Sequence, residues 1–203
     1  LAAALLNLGL EPLDRVIFQI NNTPELLFGL IACLKAGLIP ICTLAAHREQ
    51  EIGYLGNHAK ARLHFVQGDD PKFDDVAFAE RMRATVPSVQ WTLQGRGAPR
   101  GQALGLHALV ESIDAASARA CLARVPRDPF QVAIFQLSGG TTGVPKIIPR
   151  FHNDYVCQWR LVARFNGYRP DDVLFMPQPI MHNLNMGCFT GPFLLTGALV
   201  TIP

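Results

Sequence analysis

The sequence has no CxxC pair, and its five cysteines, at positions 33, 42, 121, 157 and 188, are scattered. That spacing excludes a zinc ribbon or a disulfide scaffold, and an odd number of isolated thiols fits buried, reduced cysteines in a cytoplasmic setting. Histidines 47, 58, 64 and 107 form no ligand pair at helical spacing, so no metal site is expected from this chain. Basic residues do not cluster either. With 17% charged residues and a net charge of +2, the chain has no electrostatic footprint for nucleic acid or an anionic membrane. The longest apolar stretch, 26–46, is broken by Lys35, Gly37 and Pro40, and reads as helix, turn and strand rather than a membrane span. An initiator Met, a signal peptide and a basic leader are all missing. Residues 1–10 look like the second half of an amphipathic helix closed by Gly9, and the last residues follow an apolar strand-like run, so both ends look cut from a longer chain.

What is present is an alternation. Residues 15–20 form a β-branched and aromatic run, the signature of a strand. Thr23-Pro24-Glu25 then supplies an N-cap, a first-turn proline and an acid at the positive helix end; apolar residues 26, 27, 30, 31 and 34 recur at helical spacing up to Gly37. Strands are expected at 39–43, 62–67 and 88–94, with helices at 48–60 and 70–85. The stretch 95–130 reads as a surface loop, then a connector with one or two short helices, and is a possible subdomain junction. The pattern restarts with a strand at 131–137, an extended piece at 146–149, a helix at 152–166 with Tyr155, Trp159, Val162 and Ala163 on one face, and a strand at 172–176. A helix at 184–196, weakened by Gly187, Gly191 and Pro192, precedes a final strand at 198–202. Such alternation, with near-continuously apolar strands, predicts an α/β fold with largely parallel sheets.

The most informative segment is Leu137-Ser-Gly-Gly-Thr-Thr-Gly-Val-Pro-Lys146. Three glycines let backbone N–H groups approach an anion, Ser138, Thr141 and Thr142 add hydroxyls, and Lys146 adds a positive charge. This is a device for holding a polyphosphate. It is not a Walker A loop: Gly140 and Gly143 are too close, a proline precedes the lysine, and Ile147 follows it. On composition alone, a plain Gly/Thr surface turn remains the alternative. Lys35 reads as a solvated cation at a helix C-terminus.

Ser138-Gly-Gly-Thr-Thr-Gly-Val-Pro-Lys146 resembles the phosphate-binding signature of the adenylate-forming superfamily, which includes acyl- and aryl-CoA ligases, luciferase and peptide-synthetase adenylation domains. Leu34-Lys-Ala-Gly37 followed by Ile39-Pro-Ile41 resembles that family's helix-to-strand motif, and Asn21-Asn-Thr-Pro-Glu25 its preceding segment. The Ser-Gly-Gly-Thr-Thr-Gly form, Ile147-Ile-Pro-Arg150, His152-Asn-Asp-Tyr155, and Ala46-His-Arg48 with Glu51-Ile52 are similar to the stand-alone aryl acid–AMP ligases of siderophore pathways, which act on 2,3-dihydroxybenzoate or salicylate. The resemblance covers nearly the whole chain and is weakest from about 68 to 128. It implies that residues 1–203 are part of the large N-terminal domain of an adenylate-forming enzyme, with layered α/β architecture and the C-terminal domain absent.

The resemblance also implies site residues. Ser138, Gly139, Gly140, Thr141, Thr142, Gly143 and Lys146 become the loop that orients ATP phosphates, with Lys146 counted as catalytic. His182 lies near the acid carboxylate and the α-phosphate, and Asn183 bonds a ring substituent or the carboxylate. The simpler alternative is that Asn183 caps the following helix and His182 packs in its loop. Cys188 stands where relatives carry Ser for a dihydroxylated ring and Cys for salicylate; a buried small hydrophobe is the equal alternative. Leu184 and Asn185-Met186-Gly187 depart from the usual pattern, which leaves the acid undecided. The expected activity joins an aryl acid to AMP from ATP with Mg2+, whose ligands are mostly outside this chain, and passes the aryl group to a carrier-protein phosphopantetheine thiol. The alternatives are an aryl- or acyl-CoA ligase and a non-catalytic piece that binds ligand. Because the later adenine and ribose motifs are missing, these 203 residues alone are expected to show little pyrophosphate exchange.

Overall fold

The structure is a computed structural model and describes residues 1–139 and 145–202. Helix α1 (Ala2–Asn7) leads into β1 (Arg15–Gln19), α2 (Pro24–Ala36), β2 (Ile39–Ile41), α3 (Glu49–Ala59), β3 (Leu63–Val66), α4 (Asp75–Thr85) and β4 (Trp91–Gln94). The connector holds a two-residue strand, β5 (Leu104–Gly105), and helices α5 (Leu106–Glu111) and α6 (Ala115–Leu122). Then come β6 (Val132–Leu137), β7 (Ile147–Phe151), α7 (His152–Asn166) and β8 (Val173–Phe175). A helical segment in three parts follows: α8 (Asn183–Asn185), a π-helical turn (Met186–Thr190) and α9 (Gly191–Thr196). Strand β9 is Leu199–Thr201.

Seven strands form one sheet in the order β5-β4-β3-β1-β2-β6-β7, and β8 and β9 pair as a second, parallel sheet. All neighbours in the first sheet are parallel except β6 and β7, where Leu137 faces Ile147 and Gln136 faces Ile148. The expected α/β architecture with largely parallel sheets is therefore what forms. The extended piece after the glycine loop is longer than expected and turns back as an antiparallel edge; Pro149 is tolerated because an edge strand can spare one amide. The connector also contributes β5, a strand too short for any periodicity to announce.

The local signals behave as their chemistry dictates. Thr23 Oγ1 accepts from the Leu26 amide at 3.3 Å, Pro24 opens α2, and Gly37 closes it in the left-handed conformation at φ 73°. Asp74 accepts from the Ala77 amide at 3.1 Å, so α4 begins at Asp75 rather than at 70. Burial is complete on both faces of the central strands: Ile17, Phe18, Leu63, Phe65 and Val66 are all inaccessible. Phe18 meets Phe65 edge-on at 5.2 Å beneath α2.

Gly191 has a packing reason that the sequence does not disclose. A Cβ there would lie 2.1 Å from Trp159 Cε2, so the segment after Asn183 lies directly against the α7 indole. The glycines that weaken a helix by propensity here permit its close approach to α7. The π-helical turn marks where the segment gains one residue per turn, a feature often found at functional sites. Among the described residues no helix is long and apolar enough to cross a membrane.

Candidate active site

Strands β2 and β6 are adjacent and parallel, so both end on the same side of the sheet. The chain leaves β2 through Cys42 and Thr43, and leaves β6 through Ser138 and Gly139. The carboxyl ends of parallel strands are the usual ligand crevice of α/β sheets. Here the two exits and the loop after β8 enclose a cavity of about 200 Å3, lined by Cys42, Leu44, His47, Gln136, Leu137, Ser138, Gly139, Pro145, Met181, His182 and Asn183. Residues far apart in sequence thus form one cleft, with the described start of the glycine loop on one wall and the His182-Asn183 pair on another.

The glycine loop is tied at its neck. The Ser138 amide donates to the Lys146 carbonyl at 3.0 Å, and the Lys146 amide donates to Ser138 Oγ at 3.2 Å. The Lys146 side chain is exposed and stands outside the cavity lining. Gly140, Thr141, Thr142 and Gly143, named above as loop residues, lie outside the described residues.

His182 caps the helical segment. Its Nδ1 accepts from the Leu184 amide at 3.3 Å, and the Met186 amide donates to its carbonyl at 3.0 Å. With Nδ1 accepting, the neutral ring carries its proton on Nε2 and has a donor to offer the cleft. Capping therefore falls to His182 rather than Asn183, and the exposed His182 ring still lines the cavity. The buried amide that fixes this corner is Asn185, whose Nδ2 donates to the Pro179 carbonyl at 2.8 Å. Cys188 sits in the π-helical turn, half-buried and outside the cavity lining, with its carbonyl accepting from Tyr168 Oη at 3.3 Å.

Three cleft residues, Cys42, His47 and Gln136, were not singled out as site residues by the sequence. His47 had a faint signal, the Ala46-His-Arg48 match. Its Nδ1 accepts from the Leu44 amide at 3.3 Å, and burial pulls its pKa below the ordinary histidine value. Its carbonyl accepts from Gln19 Nε2 at 2.8 Å, and Gln19 Oε1 accepts from His64 Nε2 at 2.9 Å. Both Gln19 and His64 are buried, and burial drops the His64 pKa to about 3, so this ring is a neutral donor. Gln136 and Tyr155 are also buried, with the Tyr155 hydroxyl beside the Gln136 side chain. Burial pushes the Tyr155 hydroxyl pKa up, so it stays protonated.

Among the described residues no group of three or more His, Cys, Asp or Glu side chains is placed to hold a metal ion. Among the described residues the cavity wall offers two side-chain amides, one hydroxyl and two imidazoles but no carboxylate. That donor set suits anionic oxygens of a ligand and does not fit a Mg2+ ion.

A profile of the AMP-binding enzyme family matches residues 1–203. The chain is 38% identical over 189 residues to a salicylyl-CoA synthase / salicylate adenylyltransferase of Streptomyces sp, covering 93% of this chain and 34% of that protein. It is 41% identical over 155 residues to the vibriobactin-specific 2,3-dihydroxybenzoate-AMP ligase of Vibrio cholerae, covering 76% of this chain and 27% of that one. Its fold superposes on the apo structure of Mycobacterium smegmatis MbtA with a TM-score of 0.80 at 30% identity, over 99% of this chain and 36% of the other. The chain therefore spans about a third or less of the length of the curated relatives it matches. With a profile matched over residues 1–203 and a relative 38% identical across 93% of this chain, it belongs to the AMP-binding enzyme family.

Proposed function

We propose that this chain supplies the phosphate-loop wall and part of the acid-binding wall of an ATP-dependent ligase that activates an aryl carboxylic acid. One observation carries the reading: Ser138 and Gly139, where the polyphosphate loop begins, line the same cleft as His182 and Asn183. A carboxylate and an α-phosphate must meet within bonding distance, and a cleft shared by the two recognition elements is what that reaction needs.

In the proposed reaction the acid carboxylate oxygen attacks the α-phosphorus of ATP. A P–O bond to the carboxylate forms, the bond to the bridging oxygen breaks, and pyrophosphate leaves with the electron pair. Ser138, Gly139, Gly140, Thr141, Thr142 and Gly143 hold the phosphates through N–H and hydroxyl donors, and Lys146 neutralises charge on the leaving pyrophosphate. His182 presents its Nε2 proton to the carboxylate and α-phosphate oxygens, and Asn183 reads the carboxylate or a ring substituent. Mg2+ would be expected to accompany ATP, and the described cavity wall supplies no ligand set for it. A thiol then attacks the acyl carbon, AMP leaves, and the thiol proton passes to solvent.

The acceptor thiol is the carrier-protein phosphopantetheine in the first reading and coenzyme A in the second. The second is favoured by the name of the Streptomyces relative, which includes salicylyl-CoA synthase. Two experiments on the full-length enzyme test these readings. Acid-dependent ATP–pyrophosphate exchange across hydroxybenzoates, aminobenzoates and picolinates should show at least one strong aryl substrate; exchange with aliphatic acids alone would refute the aryl reading. Product analysis with both thiols then separates a carrier-protein thioester from a coenzyme A thioester.

A further inference from the structure

The two walls of the cleft belong to different sheets. Ser138 and Gly139 extend from the seven-stranded sheet, and the His182 loop extends from β8 of the two-stranded sheet. For the cleft to have one shape, something must hold that loop, 176–182, against the first sheet.

Asn22 is placed to do this. It follows β1, at the carboxyl end of the central strand, two residues before α2. Its side-chain amide donates from Nδ2 to the Gln178 carbonyl at 2.6 Å and to the Met176 carbonyl at 3.4 Å, while its Oδ1 accepts from the Ile180 amide at 2.8 Å. One side chain thereby satisfies backbone donors and acceptors of both signs across more than 150 positions of sequence. Asparagine suits this task because its amide carries two donors and a two-lone-pair acceptor on a short stem with little rotamer freedom to lose. The grip ends two residues before His182, whose own amide donates to the Pro179 carbonyl at 3.1 Å inside the same loop. Asn22 also lines a second cavity of about 310 Å3, which shares Leu44 and Met181 with the cleft, so the clamp stands immediately behind the acid wall.

We infer that Asn22 is a positioning residue: it fixes the proline-rich loop so that His182 and Asn183 face the phosphate loop at reacting distance. The inference rests on the activity proposed above for the meaning of that distance, and on the hydrogen bonds alone for the clamp. Asn22→Ala removes all three bonds. Asn22→Asp keeps the acceptor for Ile180 and sets a carboxylate oxygen against two carbonyls.

The test compares both variants in the full-length enzyme with Gly29→Ala, which disturbs the core under α2 and leaves the cleft untouched. Both Asn22 variants should lower kcat for acid-dependent pyrophosphate exchange about 10- to 100-fold, the scale of a misplacement near 1 Å, while the KM for ATP changes less than about threefold. Gly29→Ala should lose stability and keep kcat. A second readout needs no turnover: in isotope-labelled protein, the His182 ring signal, assigned with His182→Gln, should shift or broaden in the Asn22 variants and stay in place in Gly29→Ala. An unmoved His182 signal, or a kcat loss no larger than in Gly29→Ala, would overturn the clamp. If the unaltered enzyme shows no acid-dependent exchange, the activity proposal fails, and the ring signal alone decides the clamp.

Discussion

Ser138 and Lys146 bond each other twice through the backbone and one hydroxyl, at 3.0 and 3.2 Å, and so tie the two ends of the glycine loop. The tie uses only the Lys146 backbone, and its side chain is exposed; under the proposed function that side chain is the one that meets phosphate. Lys146→Ala should therefore keep the neck and leave the unfolding midpoint within experimental error, while lowering kcat/KM for ATP by about tenfold or more, the loss of one charge-assisted contact in the transition state. Ser138→Ala removes the hydroxyl acceptor and should cost about 1 kcal/mol of stability as well as ATP affinity. Exchange kinetics at varied ATP, with denaturation curves, separate the two. Equal effects of both variants on stability would contradict this division of labour.

Cys188 lies six residues beyond His182 in the π-helical turn, with its carbonyl held by Tyr168. A hydroxyl is smaller than a thiol and a better donor. Cys188→Ser should shift the kcat/KM ratio toward a dihydroxylated benzoate over salicylate by about three- to tenfold. Cys188 lies outside the cavity lining, so its part in acid selection rests on the resemblance alone; a substrate panel run on both proteins tests it, and an identical ranking would refute it.

Gly29 faces the Phe65 ring so closely that a Cβ would sit 2.5 Å from Cε1. Phe65 cannot swing away easily, because it stands edge-on to Phe18 at 5.2 Å in a fully buried layer. Overpacking costs about 1–3 kcal/mol, against about 1 kcal/mol that alanine gains over glycine in a helix. Gly29→Ala should lose up to about 2 kcal/mol net. A raised denaturation midpoint would show that the layer yields.

Two buried titratable groups act oppositely on stability. Burial lowers the His64 pKa to about 3, and burial followed by the Asp70 charge raises that of Asp75 to about 7. Unfolded, they titrate near about 6.5 and 3.9. Between about pH 4 and 6.5, unfolding takes up a proton at His64, so its stabilising contribution is lost as pH falls; unfolding releases one at Asp75, so its contribution is lost as pH rises. The two slopes cancel. Asp75→Asn removes one of them, and stability should then rise by up to about 1.4 kcal/mol per pH unit across that window. Urea midpoints measured across it should diverge from the parent's; parallel curves would show that Asp75 is not held protonated.

Much of this architecture was legible in the sequence. Thr23, Pro24 and Gly37 bound α2 by local chemistry alone, and the apolar runs at 15–20 and 62–67 announced buried strands. The glycine loop and the His182-Asn183 pair were visible in the sequence as candidates because their residue order is itself the signal, and Ser138 and Gly139 line one cavity with that pair. Cleft residues Cys42 and Gln136 were not, since a buried thiol and a strand glutamine look alike in a core and at a site. Strand β5 has two residues and no period to detect, and Gly191 registered only as a helix breaker until Trp159 was seen against it.

The sequence by itself carried two local signals: a Gly/Thr loop whose donors and lysine would suit a polyphosphate, and an alternation of strands and helices that forms a largely parallel α/β sheet. Backbone propensities, caps and anion-binding loops act over a few residues, so a short stretch of sequence contains them entirely. Only the tertiary structure decided that β2 lies beside β6, that the His182 loop reaches the mouth of the glycine loop, and that Asn22 holds it there. Those contacts join positions 94, 44 and 158 residues apart (Ile41 to Phe135, Ser138 to His182, Asn22 to Ile180), and nothing local to either partner encodes the other.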